Sequence, residues 1–363
     1  MTNTSPRPSI DRDAIIRILS SNTPDAIEAV RRQAEQILLT HCGNKVYYRG
    51  LVEFSNQCAC NCLYCGIRAE NTSVRRYAMN EAEIIEAAQW CAQAGYGSIV
   101  LQSGERKDEP FVAFVENVVR RIKRETVSTD LPQGLGITLC VGEQTEATYR
   151  RFREAGAHRY LLRIETTNPA LFARIHPAGQ TLASRMQALE HLHTAGFQVG
   201  TGVMIGLPGQ TLDMLADDVV FFHRFDIDMI GMGPYIPHAA TPMAGWPNPD
   251  WPPARAFQTA LLMVAAVRIS LKDVNIAATT ALQAMDPVGR EKGLQFGANV
   301  IMPQLTPTEH RGDYLLYENK PCIDEDKSEC RRCLERRIQS VGRTLAINEW
   351  GDSRHFARRT AEA

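Results

Sequence analysis

The stretch Leu51–Gly66, which reads LVEFSNQCACNCLYCG, decides the predicted fold. Its first residues, Leu51–Ser55, are mainly apolar and predict a short buried strand. Four cysteines follow within the next ten residues. In a barrel of alternating strands and helices, active-site residues lie on the loops after the carboxyl ends of the strands. The stretch therefore predicts the first strand of such a barrel, followed directly by a functional loop.

Strands and helices alternate on the carboxyl side of this stretch. The best-marked helix begins at Asn80, a suitable N-cap, and Glu83 completes a capping box there, while Gly95 can end the helix. After the first strand at Leu51–Ser55, we predict strands at Ser98–Gln102, Leu135–Leu139, Arg159–Ile164, Gln198–Met204, Met229–Gly231, Asn275–Ala278 and Asn299–Met302.

Eight strands that alternate with helices predict a parallel sheet, and their number suits a closed barrel. An open doubly wound sheet is the main alternative, although no glycine-rich dinucleotide turn follows the first strand. We therefore predict an α/β fold, a (β/α)8 TIM-type barrel over residues 46–303. Residues 1–45 are expected to form an N-terminal helical segment. Residues 304–363 are expected to form a cysteine-containing appendage rather than a second core.

Composition excludes several classes of protein. The 363 residues are 44% hydrophobic and 22% charged, which is typical of a globular chain. A net charge of -1 provides no general attraction for nucleic acid or a membrane surface. Apolar runs such as Leu261–Val267 are far shorter than the about 20 residues of a membrane span, and Met1–Ile10 lacks the apolar segment of a secretory signal. We expect a cytoplasmic protein that binds neither nucleic acid nor membrane.

The cysteines are unevenly placed for a protein of a reducing compartment, where clustered thiols indicate metal binding or catalysis. Cys58, Cys62 and Cys65 have the spacing C-x3-C-x2-C. Three thiolates on one loop can hold three irons of a 4Fe–4S cluster and leave the fourth iron open to another ligand. A structural zinc site usually takes four ligands in two separated pairs, yet a zinc knuckle and a loop of free thiols stay open as alternatives. Cys60 is interpreted as a bystander.

This cysteine loop resembles that of the radical S-adenosylmethionine (SAM) superfamily. The resemblance implies a 4Fe–4S cluster held by three cysteines and by SAM. It also implies one-electron cleavage of SAM to a 5′-deoxyadenosyl radical.

Two further segments extend the resemblance. Ser103–Gly104–Glu105 follows the second strand, where the superfamily has a Gly-Gly-Glu-like motif for the amino group of SAM. Ile205–Thr211 follows the fifth strand and resembles the superfamily's turn on the adenine side, although a plain strand-to-helix turn is an equal alternative there. By resemblance, Glu165 would bind the ribose hydroxyls and Arg185 the carboxylate of SAM, and an ordinary surface ion pair is the alternative. The full set of implied SAM contacts is Tyr64, Ser103, Gly104, Glu105, Glu165, Arg185, Gly206 and Pro208.

One branch of the superfamily fits best. Gly50–Asn56, Leu101–Glu105, Gly231–His238 and Asn299–Pro303 are all similar to the HydE family of FeFe-hydrogenase maturases, over about residues 45–345. The resemblance implies action on a small organometallic substrate, an Fe(CO)2(CN)-cysteine synthon, delivered by HydG and leading to a product for HydF. It also implies a reductant such as ferredoxin or flavodoxin. A methylornithine-synthase-like mutase, a biotin-synthase-like enzyme and a non-enzymatic zinc-binding protein remain alternatives.

Substrate contacts are expected near the carboxyl ends of the strands. Arg159 and Arg163 are four residues apart on a predicted strand, so they share a face and form a possible anion clamp. Thr279 and Thr280 are expected to offer further donors, with layer-filling β-branched residues as the alternative. Gln102, Thr138, Tyr314 and Tyr317 are weaker candidates, and His176 and His238 are interpreted as ordinary loop histidines.

A second cysteine group lies in the predicted appendage. Cys322-x7-Cys330-x2-Cys333 matches the spacing of an accessory site in some HydE proteins. The resemblance implies a second cluster, 2Fe–2S or 4Fe–4S. We expect this site to lie away from the mouth of the barrel and outside the chemistry.

Overall fold

The computed structural model describes residues 10–325 and 327–361, without the side chains of residues 329 and 330. The strands are β1 Lys45–Ser55, β2 Ser98–Ser103, β3 Gly136–Cys140, β4 Arg159–Leu161, β5 Gln198–Thr201, β6 Met204–Ile205, β7 Met229–Ile230, β8 Gly233–Pro234, β9 Asn275–Ile276, β10 Val300–Ile301 and β11 Thr344–Ala346. The helices are α1 Arg12–Leu19, α2 Pro24–His41, α3 Glu81–Gln93, α4 Glu109–Glu125, α5 Glu146–Ala155, α6 Pro169–Ile175, α7 Leu182–Thr194, α8 Leu212–Arg224, α9 Pro253–Leu271, α10 Thr280–Met285, α11 Gly289–Gln295, α12 Thr308–Arg311, α13 Lys327–Ser340 and α14 Arg354–Ala361.

The main sheet is parallel and closes on itself. Its strands follow the order β10, β1, β2, β3, β4, β5, β7, β9. A parallel bridge between Ala277 and Val300 joins the two ends of this row. Next to the bridge, Asn299 N donates to Ile276 O and Ala278 N donates to Val300 O, both at 2.9 Å. The predicted (β/α)8 barrel is confirmed.

Side-chain caps begin the helices at defined points after the strands. Asn80 and Glu83 form the predicted capping box at the start of α3. Thr145, Thr181 and Thr211 cap α5, α7 and α8 by accepting from a backbone N–H three residues later. These caps fix where α5, α7 and α8 begin, and so where the loops before them end.

Several elements differ from the sequence prediction, among them β11, α12, α13 and α14, which were not predicted. The first strand begins at Lys45 rather than Leu51, because its polar early residues pair with β11 and β10 as well as β2. Gly233–Pro234, predicted as loop, pairs with β6, and Tyr235 N donates to Ile205 O at 2.7 Å. The short helix α10 was not predicted. Elements of two to six residues are too short to show a hydrophobic period.

The segment after residue 303 joins the barrel closely. Strand β11 pairs in parallel with the start of β1, with Lys45 opposite Thr344 and Tyr47 opposite Ala346. Farther on, Trp350 O accepts a hydrogen bond of 2.7 Å from Ser98 Oγ at the start of β2. The C-terminal segment from residue 344 therefore packs against the amino ends of the strands, opposite the end that carries the cysteine loop.

Helix α9 is the one described helix that is long and apolar enough to cross a membrane. Most of it, 67%, is buried inside the fold. Its buried side chains include Leu262, Val264 and Val267, and it packs against α1, α2 and α8. Such burial is typical of a core helix.

Candidate active site

A cavity of about 320 Å3 opens at the carboxyl ends of the strands. It is walled by loops that are far apart in sequence, because the carboxyl ends of parallel strands meet at one end of a barrel. Most of the predicted site residues line it: Cys58, Cys62, Tyr64, Cys65, Ser103, Gly104, Glu105, Arg163, Glu165, Arg185, Thr279, Thr280 and Cys322.

The cysteine loop presents its sulfurs to this cavity with backbone donors around one of them. Cys58 Sγ accepts from the N–H groups of Cys60 and Glu105, each at 3.4 Å. The Cys60 thiol and these N–H groups lower the pKa of Cys58 to about 7, whereas burial raises the pKa of Cys62 to about 12. N–H groups directed at cysteine sulfur are a normal feature of iron–sulfur sites. Three soft thiols in one cavity wall therefore fit a 4Fe–4S cluster.

Cys60 lies in the same wall and contacts Gln180. Gln180 Nε2 donates to Cys60 Sγ at 3.1 Å, and Cys62 Sγ donates to Gln180 Oε1 at 3.3 Å. Gln180 thereby connects the fourth thiol to one of the three expected iron ligands. Nothing in the sequence pattern marked Gln180, which lies in the loop between α6 and α7.

Tyr64 contacts His176, which the sequence analysis interpreted as an ordinary loop histidine. The two rings lie nearly perpendicular with centroids 5.5 Å apart, and Tyr64 Oη is 3.3 Å from His176 Nε2. His176 Nδ1 is 2.9 Å from the carbonyl of Phe172, which can only accept, so Nδ1 carries the proton. Burial lowers the pKa of His176 to about 4. The imidazole is therefore neutral, and its Nε2 accepts from the tyrosine hydroxyl.

Gly104 allows the loop after β2 to touch the cysteine loop. A Cβ at this position would lie 2.3 Å from the carbonyl oxygen of Gln57 and 2.7 Å from Cβ of Cys58. Ala59 N also donates to Glu105 O at 2.9 Å. The glycine thus serves close backbone approach, and the two loops form one wall.

A chain of charged side chains continues from Glu105. Its Oε2 accepts from the backbone N–H of Glu143 at 2.9 Å. Arg185 Nε donates to Glu143 Oε1 at 2.5 Å, and another of its nitrogens donates to Arg163 O. Lys107 Nζ lies 3.3 Å from Glu105 Oε1. The alternative interpretation was a surface ion pair of Arg185 with Glu165, whereas the structure pairs Arg185 with Glu143, a site residue that the sequence did not reveal.

Glu165 has an unusual backbone for its position in the wall. Its φ is +64°, in the left-handed region that non-glycine residues seldom adopt. Its Oε2 lies 3.0 Å from Arg163 Nη2, and burial raises its pKa. Such backbone geometry at a buried charged residue is a known feature of functional sites.

The turn that contains Gly206 and Pro208 lies behind the cavity wall. Gly206 has φ of +88°, and its N–H donates to Gln210 Oε1 at 2.7 Å. Arg174 donates to Pro208 O. Neither Gly206 nor Pro208 is among the lining residues, whereas Met204 just before the turn is. Their contact with the adenine side of SAM stays a prediction.

The two threonines line the cavity near a buried arginine. Thr279 Oγ1 donates to Met232 O at 2.9 Å, and Thr280 Oγ1 accepts from Arg290 Nη2 at 3.0 Å. Arg290 is only 3% exposed and lines the cavity. Among the described residues, its Nε and Nη1 have no hydrogen-bond partner. Arg290 lies on a short helix rather than at a strand end, so no positional signal marked it.

Three of the four weaker candidates also face the cavity. Gln102 Nε2 donates to the hydroxyl of Tyr314 at 3.3 Å, and both residues line the wall together with Tyr317. Thr138 does not line this cavity. The cavity surface therefore combines the cysteine loop at one place with hydroxyl, amide and guanidinium groups elsewhere.

The expected anion clamp of Arg159 and Arg163 is not formed. Arg159 is fully buried at the amino end of the barrel, where it donates to Asp352 Oδ1 at 2.6 Å and to Thr138 Oγ1 at 3.0 Å. Its remaining donors bind Ser98 Oγ and Trp350 O. Residues four apart on a strand share a face, but they are about 13 Å apart along it. Arg163 therefore reaches the cavity and Arg159 does not.

Part of the C-terminal cysteine group lies closer to the cavity than expected. Cys322 lines the cavity wall, and its carbonyl accepts from Arg311 Nη1 at 2.9 Å. Just before it, Lys320 Nζ lies 2.6 Å from Glu53 Oε1 on β1. Cys333 is half-buried on α13, and the side chain of Cys330 lies outside the described residues. The expectation that the whole group lies away from the barrel mouth is therefore wrong for Cys322.

Known proteins resemble this chain over nearly its full length. A profile of the radical SAM superfamily matches residues 52–222. The FeFe-hydrogenase maturase subunit HydE of Thermotoga maritima is 40% identical over 347 residues, which cover 95% of this chain and 94% of the relative. The 3-methylornithine synthase of Methanosarcina acetivorans is 25% identical over 80% of this chain and 78% of its own.

Solved structures share the fold. The crystal structure of methylornithine synthase has a TM-score of 0.78 at 22% identity and covers 98% of both chains. The FeFe-hydrogenase maturase HydG of Carboxydothermus hydrogenoformans also has a TM-score of 0.78, at 19% identity, over 96% of this chain and 78% of its own. At these identities the two structures support the barrel alone. The identity to HydE goes further: this chain belongs to the HydE family of the radical SAM superfamily and is a radical SAM enzyme.

Proposed function

We propose that this enzyme acts in FeFe-hydrogenase maturation, on an Fe(CO)2(CN)-cysteine synthon. The observation that carries the proposal is the 40% identity to the HydE maturase of Thermotoga maritima over 95% of the chain. The composition of the cavity adds support, because thiols and guanidinium groups line one space. An iron-bound cysteine has a carboxylate, and guanidinium groups bind carboxylates well.

The cofactors would occupy the part of the cavity beside the cysteine loop. Cys58, Cys62 and Cys65 would hold a 4Fe–4S cluster. When bound, the reduced cluster would supply one electron to SAM, and SAM would supply a 5′-deoxyadenosyl radical, with methionine as the leaving group. The residues proposed to bind SAM are Tyr64, Ser103, Gly104, Glu105, Glu165, Arg185, Gly206 and Pro208, with the last two acting from the turn behind the wall.

The substrate would occupy the part of the cavity that presents cations and hydroxyls. Arg163, Thr279 and Thr280 would bind the substrate carboxylate, with Arg290 as an added cation. A guanidinium group keeps its charge at any working pH and binds a carboxylate through two parallel hydrogen bonds. The chain's role is to hold SAM and substrate in contact and to keep water out, so that a reactive species meets only its target.

The same proposal assigns neighbouring steps to other proteins. HydG would deliver the synthon and HydF would receive the product, with ferredoxin or flavodoxin as the electron donor. Cys322, Cys330 and Cys333 would hold a second cluster. Since Cys322 lines the cavity wall, a cluster there would also fix the shape of that wall.

A mutase related to methylornithine synthase is the second candidate. Its support is the 25% identity to the 3-methylornithine synthase of Methanosarcina acetivorans over 80% of this chain. This chain is 25% identical to methylornithine synthase but 40% identical to HydE, so the mutase is a weaker candidate than a role in hydrogenase maturation. A biotin-synthase-like reaction has weaker support, at 24% identity over 74% of the chain.

The experiment compares the two substrates in one preparation. Anaerobically reconstituted protein is given SAM, a reductant and either the synthetic iron–cysteine complex or lysine, and 5′-deoxyadenosine is measured. We expect the iron complex to increase nucleoside formation and to support hydrogenase maturation in a mixture that contains HydG and HydF. Turnover with lysine, together with no response to the iron complex, would replace the proposal with the mutase.

A further inference from the structure

Cys60 is a thiol of the cavity wall that the proposed cluster site does not use. The spacing of Cys58, Cys62 and Cys65 is complete without it, yet Cys60 is half-buried and lines the same cavity. Its thiol donates a hydrogen bond to Cys58 Sγ. Its backbone N–H donates to the same sulfur at 3.4 Å. Cys60 is therefore in direct contact with one of the three proposed iron ligands.

The backbone that carries these two thiols is held in a bent conformation. The chain bends at Ala59, whose N–H donates to Glu105 O at 2.9 Å. Cys60 O accepts from Ala69 N at 2.8 Å. Residues two apart have Cα atoms at most about 7 Å apart even in an extended chain, and a disulfide needs a separation of about 4.4–6.8 Å. The bend between Cys58 and Cys60 therefore suits a disulfide.

Gln180 favours Cys58 over Cys62 as the partner of Cys60. Its Oε1 accepts from Cys62 Sγ at 3.3 Å, and its Nε2 donates to Cys60 Sγ at 3.1 Å. The Cys62 thiol is therefore engaged with the amide oxygen. Cys60 and Cys58, in contrast, contact each other through their own thiols. The amide thus selects one of two possible pairs.

A thiol that lies against a second thiol has a reversible path of oxidation. Peroxide converts a cysteine to a sulfenic acid, which either condenses with a neighbouring thiol or is oxidised further to a sulfinic acid. A thiol reductant reverses the first product and not the second. Because iron–sulfur clusters are held by cysteine thiolates, a sulfinic acid at Cys58 would prevent the cluster from binding again. The neighbour of Cys58 therefore decides whether loss of the cluster can be reversed.

We propose that Cys60 is a resolving thiol, which forms a reversible disulfide with Cys58 when the cluster is absent and hydrogen peroxide enters the cavity. The Cys58 sulfur attacks one oxygen of the peroxide, the O–O bond breaks, and water leaves with the thiol proton. The Cys60 sulfur then attacks the sulfur of the resulting sulfenic acid. The S–O bond breaks as the S–S bond forms, and a second water leaves with the Cys60 proton.

The two thiols supply the two electrons that reduce one peroxide to two waters. A dithiol reductant restores both thiols by thiol–disulfide exchange. The disulfide itself is independent of the substrate. Its protective effect rests on the proposed function, which assigns Cys58 as an iron ligand.

The first test maps the disulfide in the full-length wild-type protein. Reconstituted protein is exposed to hydrogen peroxide until its iron is released, free thiols are blocked with N-ethylmaleimide, and disulfides are then reduced and labelled with iodoacetamide. The tryptic peptide of residues 50–68 contains all four cysteines of the loop, and its fragmentation assigns each label to one position. We expect iodoacetamide on Cys58 and Cys60, and N-ethylmaleimide on Cys62 and Cys65. Iodoacetamide on any other pair, or on none, would overturn the proposal.

The second test measures the iron that returns after reduction. Peroxide-treated protein is reduced with dithiothreitol and reconstituted again, and its iron content is compared with its own content before exposure. We expect wild type to regain most of its iron. The control Cys140→Ser, which removes another half-buried thiol of the cavity, should do the same. Cys60→Ser should lose most of its iron permanently and show a sulfinic acid at Cys58, and equal recovery in Cys60→Ser and wild type would contradict the protective role.

Cys58→Ser separates this proposal from the proposed function. If Cys58 is an iron ligand, the variant should take up less iron than wild type before any exposure to peroxide. Full iron content in Cys58→Ser would refute the ligand assignment, and with it the protective role, but would leave the mapped disulfide in place. A missing disulfide in wild type would refute the resolving role of Cys60 and leave the ligand assignment intact.

Discussion

Arg159 Nη1 donates to Asp352 Oδ1 at 2.6 Å, and this ion pair joins the start of β4 to the C-terminal segment. The same guanidinium group binds Thr138, Ser98 and the carbonyl of Trp350, so all three of its nitrogens have partners. Arg159 therefore holds the amino end of the barrel together. A residue with such a role affects folding rather than substrate binding.

Replacing Arg159 should destabilise the fold. We expect Arg159→Met to lower the free energy of unfolding by roughly 2–4 kcal/mol, because it leaves the carboxylate of Asp352 and several acceptors without their cation. Urea denaturation of wild type and variant measures the change. The control Arg17→Met removes an exposed cation that pairs with the exposed Asp11, and it should change stability by less than about 1 kcal/mol. If Arg159→Met were as stable as wild type and lost only substrate binding, Arg159 would instead bind substrate, as the anion-clamp hypothesis predicted.

The sequence predicted what local patterns encode. The cysteines of the loop lie within a few residues of one another, and Asn80 and Glu83 form their capping box within one turn. Both features could therefore be predicted from the sequence. The role of Arg159 could not be predicted, because its partner Asp352 lies 193 residues away and no sequence pattern near Arg159 indicates this ion pair. Arg290 was missed for a related reason, since a short helix gives it no recognisable position in the barrel.

Adding a methyl group at Gly104 should disturb the cysteine loop. The new Cβ would lie 2.3 Å from Gln57 O, which is backbone and cannot move independently. We expect Gly104→Ala to cost about 1–3 kcal/mol of stability and to lower the iron content and SAM cleavage of the reconstituted protein. Gly179 is a matched control, because nothing lies within 4 Å of a Cβ placed there. Full iron content in Gly104→Ala would show that the two loops can separate without consequence.

Removing a cation of the cavity should weaken substrate binding without preventing SAM cleavage. We expect Arg163→Ala and Arg290→Met to keep substrate-independent formation of 5′-deoxyadenosine and to lose hydrogenase maturation. A hydrogen bond to a charged group contributes about 1.5–3 kcal/mol, so KM for the iron–cysteine complex should rise roughly 10- to 100-fold. Loss of iron in either variant would instead indicate a role in holding the cluster.

A substrate without the carboxylate tests the proposed contact itself. The corresponding iron complex of cysteamine lacks that group, so wild type should bind it at least as weakly as Arg290→Met binds the cysteine complex. Arg290→Met should show no further loss with the cysteamine complex. Equal losses on both complexes would mean that Arg290 acts on something other than the carboxylate.

The C-terminal helix should loosen at alkaline pH. His355 Nε2 lies 2.5 Å from Asp226 Oδ1, and its Nδ1 lies 3.1 Å from Asp273 Oδ1. Burial by itself lowers the pKa of His355, but the hydrogen bonds to Asp226 and Asp273 outweigh it and raise the pKa to about 9. The unfolded chain has a histidine pKa of about 6.5. The imidazolium therefore stabilises the fold fully below pH of about 6.5, and this contribution is lost as the pH rises through about 9.

Unfolding measured in urea from pH 6 to pH 10 checks this dependence. We expect wild type to lose on the order of 2 kcal/mol across that range, and His355→Gln to lose less while being less stable at pH 6. The neighbouring cation Arg358, which pairs with Asp273 at 3.0 Å, provides the control, because a guanidinium group does not titrate in this range. Arg358→Gln should keep the pH dependence of wild type. A His355→Gln variant with the same alkaline loss as wild type would assign the dependence to another group, and the two aspartates would then not hold a charged imidazole.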